Sequence, residues 1–144
     1  MYPGDGLIGF KTAVIGSIVT VRYSRLDDNA DAGLDSKADL SALDQVSATG
    51  NGHYGFRFWG RATATTLTCV DSAWECIEAE AKEGRHADVT IDRLVMVGGE
   101  ELVTTKAGAV VTILSCDLTR WTGKALVKGQ GNVALEVGCS VTPR

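Results

Sequence analysis

The sequence predicts an all-β domain, an antiparallel jelly-roll-like sandwich or barrel of about nine short strands. Three observations lead there. From Asn132 to Thr142, apolar Val133, Leu135, Val137, Cys139 and Val141 alternate with smaller or polar residues, and that period of two gives a strand one buried face. Val- and Thr-rich runs of the same kind recur along the chain. Glycine is abundant at 17 residues and proline scarce at 2, as expected of strands punctuated by tight turns.

Taken in order, residues 1–10 form an arm, since Pro3, Gly4, Gly6 and Gly9 interrupt Tyr2, Leu7, Ile8 and Phe10 without a clean period. Strands are then expected at 12–23, 52–59, 62–70, 74–81, 88–97, 102–106, 110–116, 125–128 and 133–141. Gly98-Gly99 and Gly129-Gln130-Gly131-Asn132 read as hairpin turns, which would make neighbouring strands antiparallel. Residues 26–50 are crowded with Asp27, Asp28, Asp31, Asp35, Asp39 and Asp44. They read as an acidic insertion, with Leu40, Leu43 and Val46 at the spacing of a short helix capped by Asp35 or Ser36.

A chain of 144 residues is read as a single domain, 1–144, with a core large enough to fold without crosslinks. The net charge of −4 is divided evenly between the halves and leaves no basic face for phosphates, so no direct nucleic-acid partner is expected. The apolar run from Ala13 to Val21 is too short to span a bilayer and follows Asp5 rather than a basic segment. It is read as a strand rather than a signal peptide, and no membrane association is expected. Cys69, Cys76, Cys116 and Cys139 contain no CxxC pair, and buried free thiols are the expectation; the rival is a Cys69–Cys76 or Cys116–Cys139 bridge in a particle matured outside the cell.

No catalytic or metal set is expected, and no cofactor. Asp27-x-Asn29-x-Asp31-x-Gly33 opens like a calcium loop, but its glycine comes one place late and Ala38 stands where a bidentate glutamate should close the site. Cys69, Cys76 and His86 lack zinc spacing. Glu75, Glu78, Glu80 and Glu83 offer the paired carboxylates that glycoside hydrolysis needs, yet their interleaving with Ala79, Ala81 and Lys82 reads as a solvated face. In the most aromatic segment, Tyr54, Phe56 and Phe58 are expected on one strand face as core, with His53, Arg57 and Trp59 together on the other as a ligand face or interface anchor. Trp121, between Arg120 and Thr122, is a second anchor.

With the glycine-rich arm Met1-Tyr2-Pro3-Gly4-Asp5-Gly6, the Val/Thr/Gly strands, the acidic insertion and no catalytic set, the chain resembles the cement, or decoration, proteins of tailed-bacteriophage heads, most of all the Bordetella podophage type. The resemblance implies a jelly-roll or β-tripod module on the outer capsid surface of the virion. Such a module dimerises or trimerises and holds contacts of the major capsid protein, its partner besides itself. No binding residue carries over from that family. The candidate interface consists of Tyr2, Leu7, Ile8, Phe10, Arg57, Trp59 and Trp121. The alternative is a carbohydrate- or receptor-binding β-sandwich module of a phage tail or cell surface, using Trp59, Trp121 and Arg57. A third reading is a small hydrolase built on Cys69, His86 and Glu78.

Overall fold

A computed structural model describes residues 10–12, 17–82, 84–99, 101–121, 125–136 and 139. In chain order the strands are β1 (Phe10–Thr12), β2 (Ile18–Arg22), β3 (Arg25–Asp27), β4 (Ala32–Ser36), β5 (Leu40–Asp44), β6 (Val46–Thr49), β7 (Tyr54–Phe58), β8 (Arg61–Val70) and β9 (Glu75–Ala79). They continue as β10 (Ala81–Lys82), β11 (Arg85–His86), β12 (Asp88–Val97), β13 (Glu101–Thr105), β14 (Val110–Ile113), β15 (Cys116–Arg120), β16 (Ala125–Gly129) and β17 (Asn132–Leu135).

Among the described residues every strand pairing is parallel except the β10–β11 hairpin. The chain therefore winds as a β-solenoid, and the antiparallel jelly-roll, sandwich or barrel reading is overturned. One sheet runs β1-β4-β7-β9-β13-β16 and the other β17-β14-β12-β8-β5-β2, with β3, β6 and β15 extending the second. In the first sheet Leu34, Phe56, Ile77, Val103 and Val127 stand in register, so successive coils advance by 22, 21, 26 and 24 residues. Connections that short cannot carry the crossover helices usual between parallel strands; each coil returns to the first sheet by way of the second.

The second sheet bends once per coil. In β8, Ala62 and Ala64 are buried and so are Leu67 and Cys69, with Thr65 and Thr66 both facing outward between them; β12 repeats the pattern with Val89, Ile91, Leu94 and Met96 around Asp92 and Arg93. Two successive outward residues shift the period-two alternation and make a corner. In the preceding coils Tyr23 and Gln45 make that corner with positive φ of 47° and 52°. A second ladder of turns follows the second sheet, where Asp28, Gly50, Asp71 and Gly98 hold left-handed φ of 57°, 66°, 51° and 64°. Each donates its amide to the next coil, Asp28 to Thr49 O, Gly50 to Val70 O, Asp71 to Val97 O and Gly98 to Arg120 O. Gly98-Gly99 is thus a corner between coils rather than a hairpin, and Gly129, at φ 106°, packs its α-carbon against the Thr105 backbone in a similar coil turn.

Columns of apolar side chains fill the coil. Leu34, Phe56, Ile77 and Val103 from the first sheet meet Leu43, Ala64, Ile91 and Ile113 from the second, all buried. Burying each of the larger ones is worth about 1.5–3 kcal/mol. Buried Asn51 stabilises one turn ladder from within: its Oδ1 accepts from Asn29 N and Nδ2 at 3.1 and 2.9 Å, and its Nδ2 donates to Leu26 O at 2.9 Å.

The structure corrects two further readings. Residues 26–50, expected as an insertion with a short helix, form the regular strands β4, β5 and β6, and the described residues contain no helix. The four cysteines, expected as free thiols, form Cys69–Cys76 and Cys116–Cys139 disulfides, closing loops of 7 and 23 residues. The first ties the second sheet to the first within one coil, and the second holds Cys139 against the coil before it. The real insertion is the β10–β11 hairpin, where 9 residues separate Ala79 from Asp88 while 3 separate Phe58 from Arg61 at the same place in the preceding coil. Its Arg85 Nη2 reaches back to Lys37 O at 2.9 Å and Asp39 Oδ1 at 3.0 Å.

Candidate functional site: the outer face of the first sheet

Parallel in-register winding stacks like positions of successive coils, so residues about 22 apart become neighbours. On the outer face of the first sheet this produces three columns: Tyr54, Glu75 and Glu101; Asp35, Arg57, Glu78 and Thr104; and, one place past the strand ends, Lys37, Trp59, Glu80 and Lys106. A fourth column opens the strands, where Asp31 Oδ1 lies 2.5 Å from His53 Nδ1 and the His53 ring stacks on Trp74 with centroids 3.8 Å apart. Tyr54 meets Trp74 edge-on at 6.0 Å.

Arg57 organises the middle of the face. Its guanidinium sits 4.8 Å from the Trp59 ring and 5.4 Å from the Tyr54 ring, with Glu80 Oε1 at 3.2 Å and Asp35 Oδ2 at 3.8 Å. Lys37 lies over the Trp59 ring at 5.0 Å, and Trp59 Nε1 donates to Asp35 Oδ1 at 2.8 Å. Two cations against one indole, with Arg57 itself held by Glu80 and Asp35, keep these aromatic rings in fixed orientations. Burial alone would lower the Arg57 pKa, but Glu80 and Asp35 more than offset it, so it stays fully charged.

Beside this cluster Tyr54, Trp74, Glu75, Glu78, Glu101, Thr104, Lys106 and Lys128 line a cleft of about 440 Å³. Lys106 Nζ stands 3.7 Å from Glu78 Oε1 and Lys128 Nζ 3.2 Å from Glu101 Oε1. The Thr104 hydroxyl lies 3.0 Å from Glu75 Oε1 and 3.3 Å from Glu101 Oε2, and its single proton serves one at a time.

The carboxyls of this face divide into proton holders and charge holders. Burial, then the hydrogen bond and charge of Glu80, push Glu78 up to about 8. Burial acts upward on Glu80 too, but the hydrogen bond from Glu78 and the charge of Arg57 outweigh it and keep Glu80 below the usual carboxylate range. Burial also raises Glu75. Tyr54 is pushed up to about 12 by burial and by the negative charge of Glu78, against the pull of Arg57.

The structure brings Arg57 and Trp59 together on this face, with His53 on its rim. Tyr54, expected on the inner face with Phe56 and Phe58, points outward with them, because Gly55 and Phe56 are buried in succession and break the alternation. Gly55 is required there, since a Cβ would meet the Cys69–Cys76 bridge, 2.7 Å from Cys69 Sγ and 2.9 Å from Cys76 O. Trp121 belongs to the core cluster at 8% exposure. Phe10 lies in β1, while Tyr2, Leu7 and Ile8 lie outside the described residues, as does Val137. The calcium-like run is dispersed: Asp27 pairs with Arg25, Asn29 with Asn51 and Asp31 with His53. With Cys69 in a disulfide, no thiolate is available to a Cys69–His86 nucleophile. Glu75, Glu78 and Glu80 are buried beneath their neighbours rather than forming a solvated face. Sequence reasoning missed Trp74, Asp35 and Glu80 as partners of the aromatic segment. The signal was there in the spacing, since Asp31, His53 and Trp74, like Lys37, Trp59 and Glu80, recur at 22 and 21 residues.

No family model, curated protein or solved structure matches this chain. The phage and capsid assignment therefore has no support from relatives, and the jelly roll it implied is replaced by the solenoid.

Proposed function

We propose that this protein is a saccharide-binding β-solenoid module whose binding surface is the outer face of the first sheet. The observation that carries this reading is the Trp74 indole, 48% exposed, stacked on His53 at the mouth of a polar cleft. A pyranose ring presents a flat C–H face and an edge of hydroxyls. An oriented aromatic plane receives the first, and the cleft's carboxylates, threonine and ammonium groups receive the second. The two disulfides fit a protein working outside the reducing cytosol.

Binding rather than hydrolysis is the better reading of the Glu78–Glu80 pair. The two carboxyls hydrogen-bond one another, whereas glycosidase carboxyls stand about 5 Å or more apart across the scissile bond. The test is calorimetric titration with a panel of neutral and charged oligosaccharides, against the wild type and Trp74→Ala. Saturable binding that Trp74→Ala abolishes is the expected result, and no binding to any class of sugar refutes it.

A second reading, a structural role in a larger assembly such as a virion, is favoured by Ile18 and Tyr23, each 72% exposed, on and beside β2, the terminal strand of the second sheet. Sedimentation of the wild type against Ile18→Ser/Tyr23→Ser tests it, self-association lost in the double variant being the supporting outcome.

A further inference from the structure

The two ends of the coil stack match one another. In the second sheet the buried column Leu43, Ala64, Ile91 and Ile113 ends in Val21 on β2 and Leu135 on β17, both only partly buried. The buried column Ala62, Val89 and Val111 ends likewise in Val19 on β2 and Val133 on β17. In the first sheet Val127 of β16 is 40% exposed, although its neighbour in the core column, Val103, is 0% exposed. Solenoids that remain single close their ends with polar capping coils. Among the described residues β2 and β17 are instead edge strands with apolar inner sides, and edges of that kind template a further strand.

A parallel step from β17 onto β2 of a second copy, in the register the coils already use, sets Val19 beside Val133, Thr20 beside Ala134, Val21 beside Leu135 and Arg22 beside Glu136. Both apolar columns continue across such a junction, and opposite charges meet at its edge. Arg22 and Glu136 are exposed, and neither makes an ion pair among the described residues. β1 and β16 are the matching edges of the first sheet, where Lys128, which would face the Lys11 position, is already held by Glu101. The Cys116–Cys139 disulfide fastens the coil that carries β17 to the one before it, which keeps this edge a firm template.

We infer that copies of this chain stack head to tail, β17 of one pairing in parallel with β2 of the next, an inference that rests on the assembly reading above. The contact is heterologous, so it repeats from copy to copy. It leaves the outer face of the first sheet uncovered and sets those of successive copies in line, where weak contacts to a repeating ligand add through effective concentration.

Sedimentation over a concentration series compares the wild type, Arg22→Glu, Glu136→Arg and an equimolar mixture of the two variants, with circular dichroism and melting temperature as fold controls. The wild type should grow past the dimer. Each variant alone sets like charges across every junction and should associate about tenfold more weakly, whereas the mixture, in which alternating copies again join opposite charges, should recover. Arg22→Gln and Glu136→Gln replace the reversals should either disturb the fold, each expected to weaken association about threefold. Association that is unchanged in the variants, that the mixture does not restore after charge reversal, or that stops at a dimer overturns the head-to-tail junction; if Ile18→Ser/Tyr23→Ser still abolishes it, the assembly reading stands. A wild type that stays monomeric at every concentration overturns both.

Discussion

Trp74 lies flat against His53, ring centroids 3.8 Å apart and planes 21° from parallel, although 21 residues separate them in the chain. Parallel in-register winding produces this contact, since it sets like positions of adjacent coils one strand spacing apart. Asp31, one coil earlier, fixes His53 from the other side. The indole is therefore presented to solvent already oriented, with little ordering left for a ligand to impose.

Because Trp74 is about half exposed, Trp74→Ala should remove the ligand platform with a stability loss of about 1 kcal/mol or less. Phe56→Ala, at 0% exposure in the core column, should lose about 3–5 kcal/mol. Chemical denaturation of both variants beside a sugar titration of Trp74→Ala checks the separation; comparable destabilisation would mean that Trp74 is a core residue.

The disulfides should add stability according to their loops. Closing 23 residues between Cys116 and Cys139 is worth about 3 kcal/mol and closing 7 between Cys69 and Cys76 about 2 kcal/mol on the chain-entropy account. Urea midpoints of Cys116→Ser/Cys139→Ser and Cys69→Ser/Cys76→Ser should fall in that order. Thiol titration of the unreduced, denatured protein should find none of the four free.

Gly129 and Gly84 both have positive φ, 106° and 75°, but an added Cβ at Gly129 would collide with the Thr105 carbonyl oxygen whereas at Gly84 it meets nothing within 4 Å. Gly84→Ala should cost only the left-handed strain, about 1 kcal/mol. Gly129→Ala should cost clearly more, because the atom it meets belongs to the backbone of the neighbouring coil and cannot swing aside. Equal losses in thermal unfolding would show that the Gly129–Thr105 coil turn is misplaced.

Stability should fall as pH rises from about 4.5 to about 8. Across that window the folded state keeps a proton on Glu78, whose pKa is raised to about 8, while the unfolded chain has released it. Stability then declines by at most about 1.4 kcal/mol per pH unit. Glu80, lowered in the folded state, works the other way only at more acidic pH, where its protonation costs stability. Glu78→Gln keeps a donor for Glu80 and should flatten the decline between pH 5 and 8. A wild-type profile that is level or rising there would contradict the proton-sharing pair.

Strand content was legible because each buried side of a strand still alternates with period two, and 54–58, 61–70, 75–79, 88–97 and 101–105 all fall within or close to the expected segments. Pairing was not legible in that alternation, since Val and Thr populate parallel and antiparallel strands alike. Glycine corners such as Gly98-Gly99 look the same in sequence whether the chain turns back or turns aside. Residues 26–50 were misread because Asp28 occupies a left-handed corner and Asp35 accepts from Trp59 and faces Arg57 on the outer face, so the aspartates mark turns and charge ladders rather than a loop. The site could be half seen, in Arg57 and Trp59, because their partners Asp35, Glu78 and Glu80 become neighbours only through the coil period.

The three indole N–H resonances measure the central claim most directly. In an amide correlation spectrum recorded during titration with a panel of oligosaccharides, the signals of Trp74 and Trp59, assigned from Trp→Phe variants, should shift progressively with the one that binds. That of Trp121, buried in the core, should stay in place. A titration that moves none of the three with any oligosaccharide, or moves only Trp121, would contradict a saccharide-binding outer face.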